Sequence, residues 1–127
     1  MWKDHGISIA NDDGEVNEVV AFGFTVTEFF RELANVTPGR TVLAHFHEWT
    51  AGVAVPRIAH NKLPIVTLFT THATLLGRYL AANSPRFYEH LPFIKPDEEA
   101  AKYQIWPKFA IERAAAHAST VFTTVSE

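Results

Sequence analysis

The sequence predicts an α/β fold in which a Rossmann-like parallel sheet is flanked by helices. Three short, β-rich and largely apolar runs support this prediction, at residues 41–47, at Ile65–Thr71 and at residues 120–125. Runs of this kind are typical of buried parallel strands. Helix-like segments separate them, and this alternation predicts right-handed βαβ crossovers. With 127 residues, 47% of them hydrophobic, the chain is one domain at most and can bury a core.

Between the strands, turn signals and apolar spacing predict the other elements. Residues 1–17 are polar and contain the turn signal Asn-Asp-Asp-Gly at 11–14, so we expect a loop. A helix is expected over residues 18–36, because apolar side chains recur there every three or four positions. These side chains are Val19, Phe22, Val26, Phe29, Phe30 and Leu33. The other expected helices are residues 52–60, with Pro56 near a start or kink, residues 73–82 and residues 98–117.

Composition excludes several classes of protein. The 11 basic and 14 acidic residues give a net charge of −3 without a basic cluster, so nucleic acid is not an expected partner. The chain has no cysteine, which excludes disulfides, thiolate zinc sites and cysteine nucleophiles and fits a reducing compartment. It also has no apolar run long enough for a membrane span and no signal-peptide pattern, so we expect a cytoplasmic protein with no membrane partner.

Polar side chains cluster where the predicted strands end. The residues concerned are His45, His47 and Glu48 at the first strand, Thr71 and His72 at the second, and Ser126 and Glu127 after the third. In open parallel sheets, ligands bind beyond the carboxyl ends of the strands. We therefore expect these side chains to line one crevice.

Arg78 lies in the helix expected to begin near Thr74, close to this crevice. The helix dipole and the unpaired N–H groups of a helix start favour an anion, and a guanidinium group suits phosphate. Histidine and glutamate can hydrogen-bond sugar hydroxyls. Together these features predict a site for a sugar diphosphate.

Structural interpretations compete with these functional ones. His45 is expected to be a buried, hydrogen-bonded histidine, Glu48 could be a solvated loop acid, and Arg78 could pair with a surface acid. Glu112 and Arg113 are expected to form an inter-element ion pair, and the phenylalanines are expected in the core. The acidic run at 97–99 is expected in the first turn of a helix. A zinc or iron site built on the His-x-His pattern is a further alternative, but the sequence shows no third carboxylate at a suitable spacing.

Four stretches resemble one known family closely. They read HFHEWTAG at residues 45–52, FTTHATLLGRYL at 69–80, IERAAAH at 111–117 and VFTTVS at 121–126. Together they resemble the glycogen synthases of the animal and fungal type, over residues 20–127. Starch synthases and bacterial ADP-glucose synthases share a looser His-x-His-acid-Trp pattern and rank second.

The resemblance implies a GT-B fold, of which residues 1–127 are part of the N-terminal Rossmann-like domain. It implies transfer of glucose from UDP-glucose to the nonreducing 4-hydroxyl of an α-1,4-glucan with retention, with no cofactor or metal, in a homo-oligomeric full-length enzyme. His72 and Glu48 match residues at the reaction centre and cleft, and Arg78 matches an arginine near the donor phosphates. With them, His47 and Thr71 are candidate substrate-binding residues.

The chain also departs from the family pattern. The family's glycine-rich donor loop has no counterpart among the scattered glycines of these 127 residues, and we expect no counterpart of its C-terminal domain within them. We therefore expect no measurable synthase turnover and only weak affinity for the donor from this chain alone. A noncatalytic glucan-binding module, with aromatic side chains that stack on sugars, and a metal-dependent hydrolase stay open as alternatives. The aromatic side chains concerned are Trp49, Tyr79, Phe87, Tyr88 and Trp106.

Overall fold

The computed structural model describes residues 13–125, which contain a parallel sheet of three strands in the order β1–β2–β3. The strands are β1 (Val42–His47), β2 (Ile65–Thr71) and β3 (Val121–Thr124). β1 pairs with β2 in the register Val42 to Ile65, and β2 pairs with β3 in the register Leu68 to Val121. The predicted α/β class, with its parallel sheet and flanking helices, is confirmed.

Helices fill the connections between the strands and precede the first of them. In chain order they are α1 (Gly14–Val36), α2 (Glu48–Gly52), α3 (Val55–His60), α4 (Leu75–Asn83), α5 (Phe87–His90), a 3-10 turn (Leu91–Phe93), α6 (Pro96–Lys102) and α7 (Trp106–Ala118). Pro56 lies in the first turn of α3, where its missing N–H is tolerated, as the sequence predicts. The single helix predicted at residues 52–60 is instead divided between α2 and α3.

The loop predicted over residues 1–17 is wrong for residues 14–17, which belong to the first helix. Residues 1–12 lie outside the described residues, but α1 already begins at Gly14. The side chain of Asp13 caps this helix by accepting hydrogen bonds from the backbone N–H groups of Glu15, at 3.1 Å, and Val16, at 3.3 Å. Asp-Gly therefore acts here as a helix start rather than as a turn, because aspartate satisfies N–H groups that the first turn leaves free.

The single helix predicted over residues 98–117 is also wrong. A Schellman cap ends α6, in which Ile105 N–H donates to the Ala100 carbonyl and Gln104 N–H to that of Ala101, both at 3.0 Å. Gln104 adopts a φ of 58°, in the left-handed region. Pro107 then opens α7, where its missing N–H is tolerated. The chain turns at this cap, so α6 and α7 are separate helices.

The main core lies on one face of the sheet. Phe46 and Phe69 point from β1 and β2 towards Val55 and Ile58 of α3 and Ala115 of α7, all of them buried. Consecutive right-handed crossovers with strand order β1–β2–β3 place both connections on this face. The opposite face is largely open, as Leu43 is 64% exposed and Val121 is also exposed.

Helix α1 buries a face that is rotated from the one that its apolar spacing predicts, although Val26 and Phe30 of the predicted set still pack, partly buried, against the main core. Its buried positions are Val16, Val20, Gly23 and Thr27, and the aromatic side chains of Phe22 and Phe29 are exposed. Gly23 sets this rotation, because a Cβ there would lie 2.8 Å from the Val53 side chain. The expectation that the phenylalanines are core is therefore wrong for part of the set. The other exposed members are Phe93 and Phe122.

Within residues 13–125, no helix has the length and apolar character that crossing a membrane requires.

Candidate functional site

The site begins at a strained residue directly after β1. Glu48 has a φ of 63°, a left-handed backbone conformation that residues other than glycine rarely adopt. This conformation costs about 1–2 kcal/mol, and strained residues of this kind concentrate at functional sites. The turn sends the chain into α2 and places the Glu48 carboxylate beside the loop that follows β2.

The Glu48 carboxylate joins three groups of the next βα connection. Its Oε1 atom accepts hydrogen bonds from the backbone N–H of His72 at 2.9 Å and from the Nδ1 of the same residue at 3.0 Å. The Arg78 Nη2 atom lies 3.8 Å from that oxygen. Glu48 is therefore an organised acid of the site rather than a freely solvated one. The structure thus brings together Glu48, His72 and Arg78, as the strand-end argument predicts.

The bond to Glu48 also defines the tautomer of His72. A carboxylate only accepts hydrogen bonds, so the ring proton of neutral His72 resides on Nδ1. Nε2 is then left to accept a hydrogen bond from a ligand hydroxyl. The side chain is 50% exposed, so a ligand can reach it.

Arg78 projects from the first turns of α4 towards the same space. The Thr74 side chain caps α4 by accepting from Gly77 N–H at 3.1 Å, which confirms the predicted helix start. The Arg78 Nε donates to the Ala73 carbonyl at 3.3 Å, and the side chain is 58% exposed. One edge of the guanidinium group is thereby fixed while much of it stays open to an anion.

The helix start itself differs from the prediction of unpaired N–H groups. Besides the Gly77 N–H, the N–H of Leu75 already has an acceptor, because it donates to Glu112 Oε2 at 3.0 Å. An anion at this end would therefore depend on the Arg78 side chain and the helix dipole more than on those two N–H groups.

The remaining predicted site residues lie near Glu48 and His72, but their side chains differ in exposure and in hydrogen-bond partners. The His47 ring stacks on His72 with centroids 5.6 Å apart. Thr71 is buried, and its hydroxyl donates to Glu112 Oε1 at 3.4 Å. His45 hydrogen-bonds the Thr70 hydroxyl at 2.7 Å, as a structural histidine would. It is exposed rather than buried, however, because it lies on the open face of the sheet.

Two cavities flank the loop between β2 and α4. The first, of about 280 Å³, is bordered by Glu48, Arg78 and Trp49 at the carboxyl ends of β1 and β2. The second, of about 390 Å³, is mainly apolar, and Glu112 and Thr71 contribute polar groups to its wall. The first cavity has the charged groups that a phosphorylated sugar would need.

Glu112 is a residue whose place the sequence interpretation missed. The predicted ion pair between Glu112 and Arg113 is wrong, because Arg113 instead pairs with Asp97 of α6 at 2.9 Å. Burial raises the pKa of Glu112, although the hydrogen bonds from Leu75 and Thr71 oppose the shift. Helical spacing signals the burial, since Glu112 lies three positions from both Phe109 and Ala115, which are buried.

The other structural expectations have mixed outcomes. Asp97, Glu98 and Glu99 lie in the first turn of α6, as predicted. Trp49 is buried, whereas Tyr88 is almost fully exposed, so the candidate stacking aromatics do not form one platform. Across residues 13–125, no group of three or more histidine or acidic side chains is placed to hold a metal ion.

Comparison with known proteins identifies the family. The family described as "Glycogen synthase" matches residues 1–127. The chain is 46% identical over its whole length to Glycogen [starch] synthase isoform 2 of Saccharomyces cerevisiae and 45% identical to the liver Glycogen [starch] synthase of Rattus norvegicus. It is 47% identical, over 99% of its length, to the Glycogen [starch] synthase of Neurospora crassa. The chain spans 18% of the length of each of these relatives. By this match across its full length, the chain belongs to the glycogen synthase family.

Proposed function

We propose that this chain supplies part of the donor-sugar site of a retaining glucosyltransferase, within an N-terminal Rossmann-like domain of a GT-B enzyme. The enzyme would transfer glucose from UDP-glucose to the nonreducing 4-hydroxyl of an α-1,4-glucan. The observation that carries the proposal is the contact of one carboxylate, Glu48, with both His72 and Arg78 beside a cavity at the strand ends. The names of the relatives support this proposal, because they are called glycogen [starch] synthases.

Arg78 would stabilise the negative charge of the diphosphate. Charge develops on this leaving group as the bond to glucose breaks, and a fixed guanidinium group stabilises it without reorganisation. The bond from Arg78 Nε to the Ala73 carbonyl restricts the side chain before a ligand arrives. This pre-organisation lowers the entropy that binding must lose.

His72 and Glu48 would hold the glucose. In its neutral form, with the proton on Nδ1, His72 would present Nε2 as an acceptor for a sugar hydroxyl, while Glu48 fixes the ring orientation. Fixed hydrogen bonds keep the reacting carbon near its attacking group, which is a large part of catalysis between two bound substrates. His47, stacked on His72, and Thr71 at the end of β2 would complete the substrate-binding set.

The partners that follow from this proposal are UDP-glucose and an α-glucan, with the complete enzyme acting as a homo-oligomer in the cytoplasm. The absence of cysteine fits a reducing compartment. The net charge of −3 gives no support to a nucleic-acid partner.

The test is calorimetric titration of UDP-glucose into the chain and into its Arg78→Ala variant. We expect binding by the unsubstituted chain and affinity about tenfold or more weaker in the variant, because hydrogen bonds to charged groups contribute about 1.5–3 kcal/mol. A parallel titration with a maltooligosaccharide separates donor binding from acceptor binding.

Arg40→Ala is the matched control. Arg40 is exposed and precedes β1, so it lies at the opposite end of the sheet from the site, and its removal changes net charge equally. We expect this variant to bind UDP-glucose like the unsubstituted chain. Equal losses in both variants, or no donor binding at all, would contradict the proposal. Glucan binding alone, unchanged by Arg78→Ala, would support a glucan-binding module instead.

A further inference from the structure

Glu112 is a buried carboxyl group on α7 whose hydrogen bonds all point to one loop. Its side chain is 5% exposed. Oε2 accepts from Leu75 N–H at 3.0 Å, and Oε1 accepts from the same N–H at 3.3 Å and from the Thr71 hydroxyl at 3.4 Å. A buried carboxyl group costs folding free energy unless such bonds compensate. Its presence within an otherwise apolar helix face therefore calls for a reason beyond packing.

The two residues that bond to Glu112 bracket the loop that carries His72. Thr71 is the last residue of β2 and Leu75 is the first residue of α4, so the carboxyl group bridges the two ends of the loop. His72, which the proposed function places beside the donor sugar, lies between these anchors. Arg78 lies one turn into α4, so its position depends on where that helix begins.

Glu48 holds the same loop from the other side. It accepts from the backbone N–H and the ring of His72, whereas Glu112 holds residues 71 and 75. The two acids come from different helices, α2 and α7, and they contact different groups of one short segment. The loop is thereby fixed at both ends and at His72 between them. A site that holds reacting groups in place requires fixed segments of this kind.

We propose that Glu112 is a positioning residue, which sets the conformation of the loop between β2 and α4 and thereby places His72 and Arg78 for the donor sugar. The inference rests on the proposed function for its consequence, the affinity for UDP-glucose. Its structural part, the fixing of the loop, stands on the contacts of Glu112 alone.

The test uses two substitutions that separate reach from charge. Glu112→Gln keeps the length of the side chain, accepts from Leu75 N–H and can donate to the Thr71 hydroxyl. Glu112→Asp keeps the charge but is one methylene shorter, so it cannot reach both anchors. We expect the aspartate variant to exchange the Leu75 amide proton at least tenfold faster, to shift the His72 amide resonance and to bind UDP-glucose about tenfold more weakly. The glutamine variant is expected to stay within threefold of the unsubstituted chain in exchange rate and affinity.

Ile111→Val is the control for a general loss of stability. Ile111 is the neighbouring buried residue of α7, and it packs against α1 rather than against the loop. We expect this variant to leave the Leu75 exchange rate and the His72 resonance unchanged. If Glu112→Asp lowers stability too far for the comparison, Thr71→Val removes one anchor without a change of charge and is expected to speed Leu75 exchange severalfold.

Three results would overturn the inference. They are unchanged Leu75 exchange in the aspartate variant, equal losses in the aspartate and glutamine variants, and equal changes in Ile111→Val. If the unsubstituted chain does not bind UDP-glucose, the proposed function fails in its donor arm, whereas the exchange and resonance measurements still decide the role of Glu112.

Discussion

At the scale of single residues, two glutamates of the site have opposite environments and therefore different roles. Glu48 is half-buried at the edge of the cavity, where it accepts from His72 and lies near Arg78. Glu112 is buried beneath the loop, and desolvation raises its pKa. The charge of Glu48 adds to this shift and that of Arg78 opposes it. The partly exposed Glu48 can meet a ligand at the cavity edge, whereas the hydrogen bonds of Glu112 go to Thr71 and Leu75 of the protein itself.

The raised pKa of Glu112 predicts how stability depends on pH. The folded state holds this proton more tightly than the unfolded state, whose pKa is near the ordinary 4.5. The stabilising contribution of the protonated group is therefore fully present below about pH 4.5 and is lost as pH rises through the folded pKa. Glu112→Gln removes this titration. Relative to the glutamine variant, the unsubstituted chain should thus lose stability as pH rises from 4 to 8.

Urea unfolding of both chains over this pH range measures the difference directly. Other acids titrate alike in the two chains, so they cancel when one free energy of unfolding is subtracted from the other. A difference that stays flat, or that moves in favour of the unsubstituted chain as pH rises, would refute the prediction.

The site residues that could be predicted from the sequence are those whose contacts follow from the strand order. Contacts between residues far apart in the sequence could not be predicted. His72 and Glu48 are predictable as neighbours because the carboxyl ends of adjacent parallel strands meet at one edge. Glu112 is 37 residues from Leu75, whose N–H it binds, and a helix pattern alone gives no partner for it. Its burial was readable from helical spacing, but its contact with the loop required the packing of α7 against α4.

At the scale of elements, the strands were predicted well from the sequence, whereas several helix ends were predicted wrongly. Buried parallel strands can be recognised in a sequence because they form continuous apolar runs. The break between α6 and α7 depends instead on a left-handed Gln104, an unusual residue for such a cap. The rotation of α1 could not be predicted from its apolar spacing either. It depends on the absence of a side chain at Gly23, which lets the helix approach Val53 closely.

Close approach at Gly52 gives a prediction about packing between elements. A Cβ at this position would lie 2.5 Å from a ring carbon of Phe69, which is fully buried. The ring cannot move without disturbing the sheet core, so Gly52→Ala should lower the free energy of unfolding by about 1–3 kcal/mol. Chemical denaturation measures this change.

Gly14→Ala is the matched control in the first turn of α1. A Cβ there meets nothing within 4 Å, so alanine should raise stability by about 0.4–1 kcal/mol through a lower entropy of the unfolded chain. Similar effects of the two substitutions would show that backbone preference, rather than contact with Phe69, determines the outcome at Gly52.

At the scale of the whole molecule, the described part of the chain presents an incomplete enclosure for a reaction. All of the main core lies on one side of the sheet, and the other side exposes Leu43 and Val121. The side chains of His72 and Arg78, which we propose bind the donor, are at least half exposed. Water therefore screens the charges that should act on a diphosphate.

This exposure predicts that the chain has donor affinity without catalytic turnover. Electrostatic stabilisation of a transition state is effective in a site that excludes water, and the chain corresponds to 18% of the length of its relatives. Incorporation of labelled glucose from UDP-glucose into glycogen measures turnover, with the Saccharomyces cerevisiae isoform 2 enzyme as the positive control. We expect the chain to give no incorporation above a reaction without protein, even at concentrations where calorimetry detects binding. Incorporation that depends on the chain and disappears in Arg78→Ala would refute this prediction and would mean that these residues suffice for the reaction.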